Sequence, residues 1–437
     1  MSDTENYMEN HIQHTADKPA ADEAVTENHT KNHVNRKRLV DTFLKLISID
    51  TESYHERKMA DFLKQELETL GLHVEEDDSA GKLAEHYART VGKPAADTED
   101  NTAVPAEKAD PAGNLWTCLP GNLPSEKDNY EKAILFSSHM DTGSPGNGKK
   151  AIVHEDGRIT SDGSTVLGAD DVSGIAEILE LIRILKEHSI PHPDIEFLFT
   201  AAEEPYCQGS RLFDFKKLHA RTAYVLDLSG PVGTAALAAP SILSLYIHVR
   251  GKSAHAGFNP ENGIHAIQIA SRAISRLSFG HVKPDTTVNL GTITGGSGKN
   301  IVPEEVYLTG EIRSMNPEKA DYWLQQVTDI FRQEAESAGG SAEIICEKEF
   351  DACRCGPEEP AVQIFVKAAE NLKLPVTLME TFGGSDNNRF YSHGIHGLVI
   401  ANAMNQCHST QEYTHADEME RAVRLLVEIL EQTSHGF

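Results

Sequence analysis

Three apolar runs that each end in a histidine or a carboxylate constrain this chain more than any other feature. Residues 133–141 read AILFSSHMD, residues 194–200 read DIEFLFT and lead into AAEEP, and residues 222–226 read TAYVL and lead into Asp227. A short continuous apolar run bounded by turn residues predicts a strand buried on both faces of a parallel sheet. Between the first two runs lies LGADDVSGIAEILELIRILKEH, in which Ile175, Ile178, Leu179, Ile182 and Leu185 recur at helical spacing, with Asp170 and Asp171 at its start. Strand, helix and strand in this order predict an open α/β sheet. Ligands of such sheets bind just past the carboxyl ends of the strands, where His139, Asp141, Glu203, Glu204 and Asp227 fall.

The 437 residues are too many for one compact core and predict two or three domains. Residues 1–34 are polar, lack apolar periodicity and predict a disordered tail. Residues 35–238 and 352–437 carry the α/β pattern. A stretch of about residues 80–112 within it is rich in Ala, Asp, Glu, Lys and Pro, and predicts a mobile surface insertion. Residues 239–351 change character: strand, helix, two strands, helix and strand, the order of the ferredoxin-like split βαβ motif. The chain is therefore expected to be a mixed-sheet α/β domain interrupted by a smaller inserted α+β domain.

The formal charge of -27, from 67 acidic and 40 basic residues, opposes binding to phosphate backbones and excludes nucleic acid as an expected partner. No apolar stretch approaches the ~18 residues of a membrane span. The first eighteen residues lack the apolar core of a secretory signal, and the six cysteines include no CxxC pair. The expected compartment is the cytoplasm, with free thiols. Residues 143–150, GSPGNGKK, approach a phosphate-binding loop. Lys150 stands where the magnesium-binding hydroxyl belongs, and a hairpin-like stretch follows in place of a helix, so a flexible loop is the expectation.

Singly, each polar strand end has an ordinary structural explanation. Asp170 and Asp171 suit an N-cap, Glu203 and Glu204 an acidic turn, His139 a satisfied core histidine and His408 a surface loop. Together they resist it. Three strands in order place this much negative charge on one edge, and burying a carboxylate without a partner costs several kcal/mol. A divalent metal removes that cost. Two histidines and three carboxylates suit zinc, or cobalt or manganese, and one bridging carboxylate gives each of two metals three protein contacts.

HMDT, LGADD-x-x-G, AAEEP, YVLDLSG, RGKSAHAG and the late CHST resemble, over about residues 37–433, the aminoacylase/carboxypeptidase family of co-catalytic zinc peptidases, most closely its peptidase T-like branch. The resemblance implies a zinc-exopeptidase catalytic domain with an inserted dimerisation (lid) domain, a homodimer formed through that insert, and two divalent metals. It implies that His139 and Asp227 hold one metal, that Glu204 and His408 hold the other, and that Asp170 bridges them. Asp141 would orient His139, and Glu203 would be the general base. His255 in KSAHAG would stabilise the oxyanion across the dimer, unless it is only a turn histidine. Asn300, Arg313 and Gly384 match substrate-binding positions, Arg313 as the holder of a substrate carboxylate. One departure is Val172, where the family commonly has lysine.

Three functions follow for testing. The first is metal-dependent hydrolysis of small peptides by an exopeptidase. The second is deacylation of an N-acyl amino acid by the same site. The third is a non-catalytic metal-binding dimeric scaffold, which has no need of Glu203.

Overall fold

The apolar runs become strands because both of their faces are covered. In the computed structural model, which describes residues 33–90 and 109–436, four strands run parallel: β1 (Ile134–His139), β2 (Ile195–Thr200), β3 (Thr222–Leu228) and β4 (His396–Ala401). Their spatial order is β2-β1-β3-β4. Ile134 and Phe136 of β1 face one hydrophobic cluster and Leu135 the other, and Tyr224 and Val225 of β3 divide in the same way. Burial on both sides erases the polar alternation that a half-exposed strand shows.

The first cluster is built by α1 (Ala169–His188) with the helices Arg36–Ile47, Pro360–Asn371 and Ala416–Gly436. The second is built by Phe213, Phe215, Leu218 and Phe390, the last on the helix Asp386–Ser392. Antiparallel strands extend the sheet on both sides. Leu115–Leu119 pairs with β2, and Thr234–Ala239 pairs with β4, which makes a mixed sheet of nine strands. The fold is mixed α/β, as expected. The hairpin after residue 150 is also present: Ala151–Val153 pairs with Arg158–Ser161, and Tyr413–His415 joins as a third strand.

A second sheet comes from residues 241–350. Its order is Gly280–Lys283, Thr286–Gly295, Glu305–Ser314, Ser241–Arg250, Ser341–Phe350, all antiparallel. Leaving out the short edge strand Gly280–Lys283, which the sequence reading lacked, this is the ferredoxin-like order. The helices Ala266–Arg276 and Pro317–Ser337 cover one face, with Ala270, Val327 and Phe331 in its core. The opposite face exposes Tyr246, Ile293, Tyr307 and Ile345.

One expectation needs correction. The stretch near 80–112 is not all surface insertion, because Ser79–Thr90 is a helix whose Leu83 is fully buried in the main core. Leu83 and Tyr87 alone are too sparse a stripe to read from sequence. Residues 91–108 of that stretch, and residues 1–32 of the expected tail, lie outside the described residues. Between β2 and β3 lie two short pieces, Gln208–Leu212 and the 3-10 turn Phe215–Lys217. The first helix of the inserted domain begins at Ala266, where His265 accepts from the Gln268 amide at 3.2 Å.

The loop 143–150 holds no phosphate cradle. The Gly146 and Gly148 amides donate to Glu52 and Asp50, and Lys149 is buried with its Nζ donating to the Ile49 and Gly146 carbonyls at 3.0 Å each. The donors that a phosphate would need are already spent on the protein itself. Among the described residues no helix is long and apolar enough to cross a membrane.

Candidate metal centre and active site

Parallel strands put their C-terminal ends on one edge, and that edge gathers the polar residues. His139 closes β1, Asp227 lies near the end of β3, Glu203 and Glu204 follow β2, and His408 follows β4. His139 is 2 % exposed. Its Nδ1 lies 2.9 Å from the Asp141 carbonyl, which can only accept, so the ring proton belongs on Nδ1. That leaves Nε2 turned inward, 3.1 Å from Asp170 Oδ1 and 4.0 Å from Asp227 Oδ1. On the other side of Asp170, its Oδ2 is 3.4 Å from His408 Nε2, while His408 Nδ1 is 3.3 Å from Glu204 Oε2. Two triads result, His139–Asp170–Asp227 and Asp170–Glu204–His408. Within each, the ligand atoms lie within 4.8 Å of one another, and Asp170 belongs to both.

The electrostatics fit a pair of cations. Burial, then Asp170, pushes the Glu204 carboxyl up to about 9. Burial, then Glu203 and Asp170, pushes Asp227 well above the carboxylate range. Glu203 is raised to about 8 by burial, against the opposing field of His139. Burial alone would lower His139, yet Asp141 and Asp170 hold it well above its usual range. Carboxylates crowded this closely resist ionising together unless positive charge stands among them. The donor set, imidazole nitrogen and carboxylate oxygen with open space in front, suits divalent zinc, cobalt or manganese.

Asp141 holds His139 at its Nδ1, and its carboxylate has a second task. Its carboxylate reaches His139 Nδ1 only at 3.5 Å, and it is the Asp141 main-chain carbonyl that holds the ring. The carboxylate instead accepts from the Glu203 amide at 2.9 Å, the Glu204 amide at 3.2 Å and Ser53 Oγ at 2.8 Å. It fixes the turn that carries both glutamates. Asp170 and Asp171 are not N-caps: α1 has no side-chain cap hydrogen bond, and its backbone is kinked at both residues. Asp171 Oδ1 accepts from Asn402 Nδ2 at 2.5 Å, and Asn402 donates as well to the Leu226 carbonyl at 2.9 Å. Asn402 thereby ties the start of α1 to the end of β3. Val172 is fully buried in the apolar core.

Sequence reasoning overlooked Glu412. It is 1 % exposed, and its two oxygens accept from the Gly168 amide at 2.7 Å and the Asp170 amide at 2.8 Å. The segment that carries His408 therefore also holds the backbone of Asp170. An acid four residues beyond a candidate ligand, in an otherwise uncharged stretch, was the available signal. Asp386 accepts from Thr200 Oγ1 and Ser210 Oγ at 2.5 Å each, beneath the end of β2. Cys207 donates to Glu203 Oε1 at 3.1 Å.

A cavity of about 350 Å³ opens over the site, with Asp170, Glu203, Glu204, Asp227 and His408 on one wall and Arg313, Thr381, Gly383 and Gly384 on another. A side chain at Gly384 would collide with Phe350, its Cβ coming within 2.7 Å of that ring. His255 and Asn300 do not line this cavity. They stand together on the inserted sheet's loops, where the Asn300 carbonyl accepts from the Ala256 amide at 2.9 Å and His255 pairs with Ile301. His255 is exposed, and its Nδ1 accepts from the Gly257 and Phe258 amides. Arg313 faces the cavity but is already paired. Its Nε and Nη2 donate to the two oxygens of Glu311 at 2.8 and 2.9 Å, and its Nη1 donates to the Phe382 carbonyl at 2.8 Å.

Residues 237–339 match the model of the peptidase dimerisation domain, and residues 121–239 match that of peptidase family M28. An uncharacterised Bacillus subtilis protein, YqjE, is 37% identical over 92% of this chain and 100% of its own length. The crystal structure of aminopeptidase PepT from Bacillus cereus is 34% identical, covers 92% of this chain and 99% of its own, and superposes with a TM-score of 0.77. A tripeptidase structure from Staphylococcus aureus is 33% identical, covers 92% and 100%, and gives 0.80.

Proposed function

Since this chain belongs to the peptidase T-like branch of the aminoacylase/carboxypeptidase metallopeptidases, it is a metal-dependent hydrolase of peptide amide bonds, and we propose that it is a dinuclear exopeptidase acting on di- and tripeptides. The aminopeptidase and tripeptidase names of its structural relatives support that substrate class. The observation that carries the reading is the pair of triads sharing Asp170, with Glu203 beside them on the same cavity wall.

His139 and Asp227 would hold one ion, Glu204 and His408 the other, and Asp170 both. Bound there, two divalent cations, zinc by preference, would relieve the crowded carboxylates, acidify an attacking water and polarise the scissile carbonyl. Glu203 is the general base. It stands on the same cavity wall as both triads, where a carboxylate can take a proton from water and return it to the leaving amine. Asp141 keeps Glu203 and Glu204 in place through their amides. Asn300 and the backbone at Gly384 would contact the peptide.

The inserted domain, residues 239–351, would pair two chains and close the site, with residues 35–238 and 352–437 as the catalytic domain. The match to a dimerisation domain supports this, as does the placement of His255 and Asn300 outside their own chain's cavity. In a homodimer His255 would serve the partner's oxyanion. Six unpaired cysteines support a cytoplasmic location.

The test is a substrate panel on purified protein with zinc, cobalt or manganese: dipeptides, tripeptides, longer peptides and N-acyl amino acids. Turnover that is greatest on di- or tripeptides and lost on chelation is expected. Inactivity on every peptide with every metal would overturn the proposal.

A further inference from the structure

Two residues other than glycine hold the left-handed backbone beside the metal centre. Ala202, at φ 47°, directly precedes Glu203, and Tyr54 stands at φ 68°. L residues keep such a conformation only where neighbouring groups hold it. Here one atom holds both. Glu56 Oε1 accepts from the Tyr54 amide at 2.6 Å and from the Ala202 amide at 3.1 Å. Glu56 is fully buried, and its Oε2 has no hydrogen-bond partner among the described residues. It stands at the head of the helix Arg57–Thr69, which Met59, Leu63 and Leu67 anchor in the main core. Because Asp141 takes the next two amides, Ala202, Glu203 and Glu204 each donate to a buried carboxylate.

An idle buried oxygen costs stability, and an apolar side chain would fill the same space without that cost. What only an acceptor supplies is the grip on the two amides. Resting on the assignment of Glu203 as the base, we propose that Glu56 is a positioning residue for the reaction. It clips the left-handed turn at Ala202 to the one at Tyr54, and so sets where the Glu203 carboxylate stands. Glu56 does not line the cavity and acts through Glu203. Asp141 holds the turn at the two glutamates, and Glu56 holds the backbone from which they spring. The role needs an oxygen at this reach and no charge.

The experiment measures kcat, KM and metal content on the metal-loaded full chain, with Ala-Ala-Ala as substrate. In Glu56→Ala, kcat falls about 100-fold, the scale of a reacting group displaced by about 1 Å. KM stays within about threefold and the metal content is that of the wild type. Glu56→Gln keeps an oxygen in place and returns kcat to within about threefold of the wild type. In the Glu203→Gln background, Glu56→Ala lowers kcat by less than about a further threefold, since the group it places is gone. Hydrogen–deuterium exchange needs no turnover: Glu56→Ala speeds exchange at the Tyr54 and Ala202 amides by about tenfold or more, while β1 stays protected. Should Glu56→Ala not fold, Glu56→Asp, which draws the oxygen back by one methylene, takes its place with the same expectations.

A kcat at the wild-type value in Glu56→Ala or its substitute overturns the inference. So does a Glu56→Gln variant as slow as Glu56→Ala, or a loss as large in the Glu203→Gln background as in the wild type. If the wild type hydrolyses no peptide, the peptidase reading falls by itself. Exchange at Tyr54 and Ala202 then decides the role of Glu56, and unchanged exchange there overturns it.

Discussion

The two walls of the cavity solve the problem of charge in opposite ways. On the metal wall, Asp170, Glu203, Glu204 and Asp227 crowd together with only His139 and His408 between them, and burial pushes Glu203, Glu204 and Asp227 upward. On the facing wall, Arg313 and Glu311 meet in a bidentate pair and leave little unbalanced. The first wall is completed only by something from outside the chain, whereas the second is complete as it stands. An unsatisfied constellation marks where chemistry is supplied.

The sharpest way to break this comparison is at the base. Glu203→Gln keeps the shape and removes the proton acceptor, so kcat should fall about 10³-fold while metal content, read by atomic emission, stays near wild type. Retained turnover would dismiss the assigned role. Asp141→Asn comes next. It puts an amide N–H against the Glu203 and Glu204 amides that the carboxylate now receives. Activity should drop about 10- to 100-fold, as for other residues that orient ligands, with weaker metal retention in dialysis.

A third carboxylate sharpens the contrast from behind. Glu177 is fully buried in α1, and neither of its oxygens has a hydrogen-bond partner among the described residues. Burial, then Asp171, raises it well above the usual range. Folding therefore favours its protonated form. Its contribution is complete below the unfolded value of about 4.3 and is lost as pH rises above that. Glu177→Leu should stabilise the protein by about 1–3 kcal/mol at pH 8 and by less at pH 5, read from unfolding midpoints at both. A gain that grows toward acid would contradict the sign.

Much of this was legible in the sequence, for a physical reason. Strands buried on both faces write themselves as apolar runs, so β1, β2 and β3 and the polar residues at their ends could be read directly. The inserted sheet was legible because its helices and strands alternate at recognisable periods. The helix Ser79–Thr90 was not, since its apolar contact rests on Leu83 and Tyr87 and the rest of its anchoring is polar, from buried Ser79 and from His86 against Tyr54. Nor were the tasks of Asp141, Asn402 and Glu412. Each acts on a main-chain group of another segment, and side chains that bind backbone leave no residue pattern at their target. Arg313 lines the cavity, and only the structure reveals that Glu311 stands paired with it.

The central claim is that one cluster, bridged by Asp170, takes two metal ions. Equilibrium dialysis against zinc or manganese, followed by metal analysis, tests it most directly. Two ions per chain are expected for the wild type, and Asp170→Asn should lose both together because both triads include that residue. One ion or none in the wild type, or two retained by Asp170→Asn, would contradict the account.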